Sequence, residues 1–202
     1  KGPLIWFHAA SLGESLAVLP LIDKLLSNDK DLHVLLTTQT LTSARILQQR
    51  LPPRAIHQVV PYDTDKATAR FLDHWKPDLA VWTESDLWPT IMLKTKQHGI
   101  PMALVNARVS SSTIKKWRQW PRAALDLLGL FDRICVQEEA LARVLKQINV
   151  DPQKLTVTGS LKADAPKLAY KKDTLTDLTQ LLEGRSAWLA SATHQNEDEV
   201  VV

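Results

Sequence analysis

The chain has 202 residues, is 45% apolar and 23% charged, and carries a formal net charge of +3. That is ordinary globular composition, long enough for one large domain or one and a fraction. A single cysteine, Cys135, excludes an internal disulfide framework, and the mild basic excess (pI about 9.0) is too weak to argue for nucleic acid by itself.

From the N-terminus, the apolar run Leu4 to His8 reads as a strand that breaks into the small residues Ala9-Ala10-Ser11. Gly13-Glu14 then opens a segment with helical apolar spacing at Leu16, Leu19, Ile22, Leu25 and Leu26. This strand–turn–helix lacks the glycine fingerprint of dinucleotide binders and places a carboxylate at the mouth of a helix. Glu14 is either a first-turn residue favoured by the helix dipole or a base on display. Further strands are predicted at Leu32 to Thr37, His57 to Val60, Leu79 to Thr83, Met102 to Asn106, Ile134 to Val136, Leu155 to Thr158 and Trp188 to Ser191. Helices are predicted between them: Leu41 to Gln49, Thr64 to Trp75, Pro89 to His98, Thr113 to Leu128, Glu138 to Ile148 and Thr174 to Leu182. Pro89 suits a helix N1 position and Gly99 a stop after the C-cap. Strand alternating with helix predicts an α/β fold with a parallel sheet covered on both faces. Residues 1–165 are expected to form one Rossmann-like domain, 166–184 a linker, and 185–202 the start of a second domain. The Cys135 side chain reads as a small buried hydrophobe. No apolar run approaches the roughly 20 residues of a spanning helix, and no signal peptide is evident.

Polar clusters follow the strands: Thr37 to Thr40, Thr83 to Pro89, Asn106 to Ser110 and Thr158 to Asp164. In a parallel sheet they emerge on the same edge as Glu14. Glu14 and Glu84 are both expected to cap helices there. Paired carboxylates suit glycoside chemistry, and one strand-end glutamate suits a general base for a sugar hydroxyl. His8 either orients Glu14 or fills the sheet edge. The segment Arg108 to Arg122 carries Lys115, Lys116 and Arg118 with Trp117 and Trp120 and no acidic residue. Such a segment suits a nucleic-acid groove or an anionic membrane surface, or equally a solvated helix with its tryptophans turned to the core. On a single helix its basic and aromatic stripes would lie side by side, which suits interfacial binding rather than base readout. Ser191, Thr193 and His194 form a turn suited to a phosphate at a helix N-terminus, or a plain N-cap.

Taken in order, Trp6 to Glu14, Glu84 to Pro89, Asn106 to Ser110, Gly159 to Asp164 and Ser191 to His194 resemble the motifs of the 3-deoxy-D-manno-octulosonic acid (Kdo) transferases. The resemblance implies a GT-B fold of two Rossmann-like domains facing a cleft. It implies an inverting glycosyltransferase of Gram-negative lipopolysaccharide synthesis that moves Kdo from CMP-Kdo to a lipid A precursor, lipid IVA. No metal, no cofactor and no nucleic acid are implied, CMP-Kdo being the donor substrate. Glu14 matches that family's base. Ser11, Gly13, Glu84 and Arg108 are expected on the acceptor side, Arg108 pairing with an acceptor phosphate. Ser191, Thr193 and His194 are expected towards CMP-Kdo, and Lys115, Lys116, Trp117 and Arg118 at the cytoplasmic face of the inner membrane. Leu12, Ser160 and Asp86 depart from the commoner Val, Asn and Glu. The family's N-terminal membrane anchor and most of its donor domain are absent, so the chain alone is expected to be inactive. The competing readings are a sugar-nucleotide epimerase of similar build and a non-enzymatic membrane- or nucleic-acid-binding module.

Overall fold

The computed structural model describes residues 2–84, 86–164 and 170–191. The chain divides into two compact units, residues 1–165 and 166–202.

The first unit is built on the apolar strand β1 (Leu4–His8), whose alternate side chains enter two cores. After it come α1 (Leu12–Asn28), β2 (His33–Thr38), α2 (Leu41–Leu47), β3 (Ala55–Val59) and α3 (Asp65–Trp75). Then follow β4 (Leu79–Thr83), α4 (Pro89–Gln97), β5 (Met102–Ala107), α5 (Ser111–Gln119) and α6 (Pro121–Gly129). The unit closes with β6 (Arg133–Val136), α7 (Glu139–Gln147), β7 (Leu155–Val157) and a 3-10 turn at Leu161–Asp164. The seven strands form one parallel sheet in the order β3-β2-β1-β4-β5-β6-β7. This is the Rossmann-like α/β arrangement expected from the alternating pattern.

One core lies under α1 and α2, where Val18, Ile22, Leu26 and Leu47 pack on Phe7, Val34, Leu36 and Val81. The larger one lies under α3, α4, α6 and α7. At its centre Trp6 meets Trp82 with ring centroids 4.9 Å apart and Phe71 at 5.0 Å. Burying such rings is worth roughly 1.5–3 kcal/mol each.

Some helix ends are closed by neighbouring residues and two are closed from a distance. Gly99, at φ 70°, closes α4: its N–H donates to the Lys96 carbonyl while Ile100 N donates to Thr95. That is a Schellman end. The start of α4 is unusual. Its N-cap, Trp88, supplies no side-chain bond. Asp63, from the loop after β3, instead accepts from Thr90 N at 3.1 Å and Ile91 N at 2.7 Å. The C-terminal end of α1 is likewise closed from afar, by the Arg54 guanidinium, which donates to the carbonyls of Leu26 and Asp29 and also reaches that of Leu32 in the loop before β2.

Three expectations need correction. The single helix Thr113 to Leu128 is two, because Pro121 ends the first and starts the second; Trp120 sits between them with non-helical φ −126° and ψ 61°. The strand at Trp188 to Ser191 does not form, and Trp188 and Leu189 are exposed. Strand conformation is held by a paired neighbour, and none pairs with this segment among the described residues. Cys135 is half-buried rather than buried, and burial raises its thiol pKa. In the second unit, α8 (Lys172–Leu182) carries the exposed apolar residues Leu175, Leu178, Leu181 and Leu182.

Candidate active site

The sheet order reverses between β1 and β4. In open α/β sheets that switch point opens a crevice outside the carboxyl ends of the strands, and ligands bind there. Here the loops leaving β1 and β4 carry the clustered carboxylates. Among the described residues, three buried side-chain polar atoms have no hydrogen-bond partner: His8 Nε2, Trp82 Nε1 and Thr83 Oγ1. All three belong to the carboxyl ends of β1 and β4. Buried polar groups are normally paired; Trp82, however, packs inside the larger core against Trp6 and Phe131.

Glu14 is fixed by the turn after β1. Ser11 is the N-cap of α1, and its hydroxyl oxygen accepts from Glu14 N at 3.2 Å. The Glu14 carboxylate reaches back, accepting from Ala10 N at 2.8 Å and from the Ser11 hydroxyl at 3.1 Å. This is a capping box shifted by one amide. Burial pushes the Glu14 carboxyl above the 4.5 of a free glutamate; the bonds from Ala10 and Ser11 oppose this, and the charges of Glu84 and Asp86 add to it. Glu14 is thus a first-turn residue of α1, one of the two alternatives its spacing left open. Gly13 is exposed beside it, and a Cβ there would approach only the Ser11 hydroxyl, at 3.9 Å.

Glu84 leaves β4 with φ 61°, a left-handed conformation costly for a residue with a Cβ. It does not cap α4, because Asp63 holds that position. Its Oε1 instead receives Asn106 Nδ2 at 3.3 Å and Lys162 Nζ at 3.4 Å. Asn106, at the end of β5, is itself left-handed at φ 54° and 1% exposed.

His8 does not touch Glu14; its partners are Thr37 and Asp86. Nδ1 lies 3.0 Å from Thr37 Oγ1, which also accepts from Trp6 Nε1 at 2.9 Å. Nε2 stands 3.8 Å from Asp86 Oδ2, beyond hydrogen-bond length. Asp86 Oδ2 accepts from Trp88 Nε1 at 2.8 Å and from Gln39 Nε2. The His8 imidazole does most to hold the Asp86 carboxyl below the usual 3.8; burial opposes this, and the Trp88 and Gln39 donors support it. At 3.8 Å this is a close approach rather than a formed bond.

Arg108 is exposed at the end of β5, on a cavity of about 250 Å³ lined also by Ala107, Val109, Gln137, Glu138 and Leu141. Lys115, Lys116 and Arg118 are exposed on α5. The paired basic and aromatic stripes expected there do not form. Trp117 packs against the larger core, while Trp120, outside the helix, is 70% exposed. Ser191 is exposed and in no regular element. Thr193 and His194 lie outside the described residues. No group of three or more His, Cys, Asp or Glu among the described residues is placed to hold a metal ion.

Sequence reading did not single out Asn106, Lys162 or Gln39 as site residues, although each stands in a cluster after a strand. Asp63 carried no signal, since its helix lies 26 residues further on, beginning at Pro89.

Residues 1–165 match the family described as 3-deoxy-D-manno-octulosonic-acid transferase (kdotransferase). The 3-deoxy-D-manno-octulosonic acid transferase of Rickettsia conorii is 36% identical over 200 residues, covering 98% of this chain and 42% of that protein. The Haemophilus influenzae enzyme of the same description is 27% identical over 201 residues, with 98% and 47% covered. The chain thus spans less than half the length of these relatives. Among solved structures, the UDP-GlcNAc 2-epimerase of Neisseria meningitidis bound to UDP-GlcNAc superposes with TM-score 0.59 at 16% identity, covering 91% of this chain and 51% of that one. The UDP-N-acetylglucosamine 2-epimerase of Rickettsia bellii gives 0.58 at 13% identity, with 91% and 50% covered. At such identities the likeness is one of fold.

Proposed function

The chain belongs to the Kdo transferase family, and from that premise we propose that it forms the acceptor-side half of an inverting glycosyltransferase that moves Kdo from CMP-Kdo to a lipid A precursor. The observation that carries this reading is the placement of Glu14, Glu84 and Asp86 on one rim at the switch point, with Glu14 raised by burial and by its two acidic neighbours.

The chemistry asks for a base at the acceptor hydroxyl. As that oxygen bonds to the anomeric carbon of Kdo, its proton passes to the Glu14 carboxylate. The bond from that carbon to the phosphate oxygen breaks, and CMP leaves with the electron pair. A base works best with its pKa drawn towards the working pH, and burial draws Glu14 that way. Its position is set by the Ala10 amide and the Ser11 hydroxyl, so little reorganisation is needed. Glu84 would accept a second hydroxyl of the acceptor sugar, and the Arg108 guanidinium would pair with an acceptor phosphate beside its cavity.

The acceptor is an anionic amphiphile, so the domain must work at a lipid surface. The exposed cations of α5 and the exposed Trp120 ring suit the cytoplasmic face of the inner membrane. No described helix is long and apolar enough to cross a bilayer. The CMP-Kdo side would be supplied by sequence that the relatives have beyond the matched half. Ser191, Thr193 and His194 would lie towards it.

The test is CMP release by the full-length protein given CMP-Kdo and a tetraacyl lipid A precursor, wild type against Glu14→Gln. Loss of turnover with an unchanged thermal midpoint is expected. Transfer that survives would remove Glu14 as the base, and no transfer by the wild type would remove the reading.

A further inference from the structure

Asn106 is the residue through which three loops of the rim are joined. Its backbone carbonyl accepts from Gln137 Nε2 at 3.0 Å, after β6. Its Oδ1 accepts from Leu161 N at 3.0 Å, after β7. Its Nδ2 donates to Glu84 Oε1 at 3.3 Å, after β4. The amide orientation follows from chemistry: Leu161 N–H can only donate, so the carbonyl oxygen must face it and the NH₂ must face Glu84. The residue is 1% exposed and left-handed at φ 54°, a conformation that asparagine tolerates better than most. Glu84 is left-handed too. Two such backbones side by side at the ends of adjacent central strands are what a site holding its groups against local preference displays.

We propose that Asn106 is the positioning residue of the acceptor site: its Nδ2–H holds Oε1 of Glu84 and so leaves Oε2 to accept from a hydroxyl of the acceptor sugar. Lys162 Nζ, 3.4 Å from the same Oε1, shares the hold, and Asn106 delivers that lysine by fixing the amide of the preceding Leu161. No described residue hydrogen-bonds Oε2. The proposal rests on the reading of Glu84 as an acceptor-side group.

Asn106→Asp, read together with Glu84→Gln, separates positioning from structure. Aspartate keeps the size, the tolerance of positive φ and the acceptor for Leu161 N. It exchanges the amide donor that faces Glu84 for a carboxylate oxygen, leaving Lys162 as the remaining donor to Oε1. In the full-length protein the variant is expected to lose about tenfold or more in kcat/KM for the acceptor, the cost of one hydrogen bond to a charged group. The KM for CMP-Kdo should stay as in wild type, while the thermal midpoint falls because the new carboxylate is buried against Glu84, and Glu84→Gln should recover part of that fall. Glu84→Gln restores a donor at position 84, so adding it to Asn106→Asp should cost less than the two single losses combined. Wild-type acceptor kinetics in Asn106→Asp, fully additive losses in the double variant, or an unimpaired Glu84→Gln would each overturn the proposal. Those results need a wild type that transfers Kdo. A wild type that does not would refute the functional reading instead and take the proposal down with it.

Discussion

Asp63→Ala should destabilise the first unit although it removes no buried apolar surface. Pro89, the first residue of α4, has no N–H, and Met92 N already bonds to the Trp88 carbonyl at 3.1 Å. The free donors of that helix end are therefore Thr90 N and Ile91 N, and one carboxylate satisfies both, at 3.1 and 2.7 Å. Loss of a helix cap costs about 0.5–2 kcal/mol, and a charge at a helix N-terminus adds about 0.3–1 kcal/mol. Asp63 is half-buried, so water recovers part of the loss, and a net cost of about 2 kcal/mol is expected. For a chain of this length that lowers the thermal midpoint by about 4–8 °C. Asp63→Asn keeps one acceptor and loses the charge, and should fall about halfway. Urea unfolding followed by circular dichroism reads both variants: the midpoint should shift while the slope stays constant. The loop that ends at Trp88 carries Glu84 and Asp86, so acceptor turnover should fall alongside stability. Two results would refute the argument: a midpoint for Asp63→Ala within about 1 °C of wild type, against the shift expected here, or equal losses in Asn and Ala.

Arg54→Ala should cost about 1–3 kcal/mol, because the carbonyls of Leu26 and Asp29 at the end of α1 and of Leu32 in the loop before β2 lose their donor; an unchanged urea midpoint would contradict this. The Glu14 carboxyl is raised in the fold, so its contribution to stability is present below 4.5 and is lost as pH rises through the folded value. The stability of Glu14→Gln relative to wild type should therefore improve between pH 4 and pH 7, which urea midpoints across that range would show. Asp86 is depressed, so it stabilises above 3.8 and that support goes as pH falls through its folded value. Asp86→Asn should accordingly be most damaging at neutral pH and least in acid; a deficit independent of pH would contradict the His8–Asp86 interaction. Reversing charge at Lys115, Lys116 and Arg118 should sharply weaken sedimentation with anionic liposomes, more so at low salt; unchanged binding would remove α5 from the membrane surface.

What the sequence alone determined was local in origin. β1 and β4 are apolar on both faces and end where polar residues begin, so Leu4–His8 and Leu79–Thr83 were readable residue by residue. Ser11 and Glu14 are three residues apart at a helix start, and that spacing already held their mutual hydrogen bonds. Periodicity placed the strand-end clusters on one rim, because parallel strands all leave the sheet on the same side. The motif order pointed to the family without any geometry.

Tertiary structure alone decided which groups on that rim meet. Only the strand order sets β1 beside β4, and only that brings His8 to Asp86 rather than to Glu14. The cap of α4 comes from Asp63 because the loop after β3 passes its N-terminus; sequence patterns report a cap only when it is adjacent in the chain. Trp117 and Trp120 share a spacing, yet Pro121 turns one out of the helix, so one is packed and the other wet. The hold of Asn106 on Glu84, 22 residues away, belongs to the same class. Secondary structure follows short-range preference and periodicity, whereas the chemistry of a rim depends on which loops the sheet sets side by side.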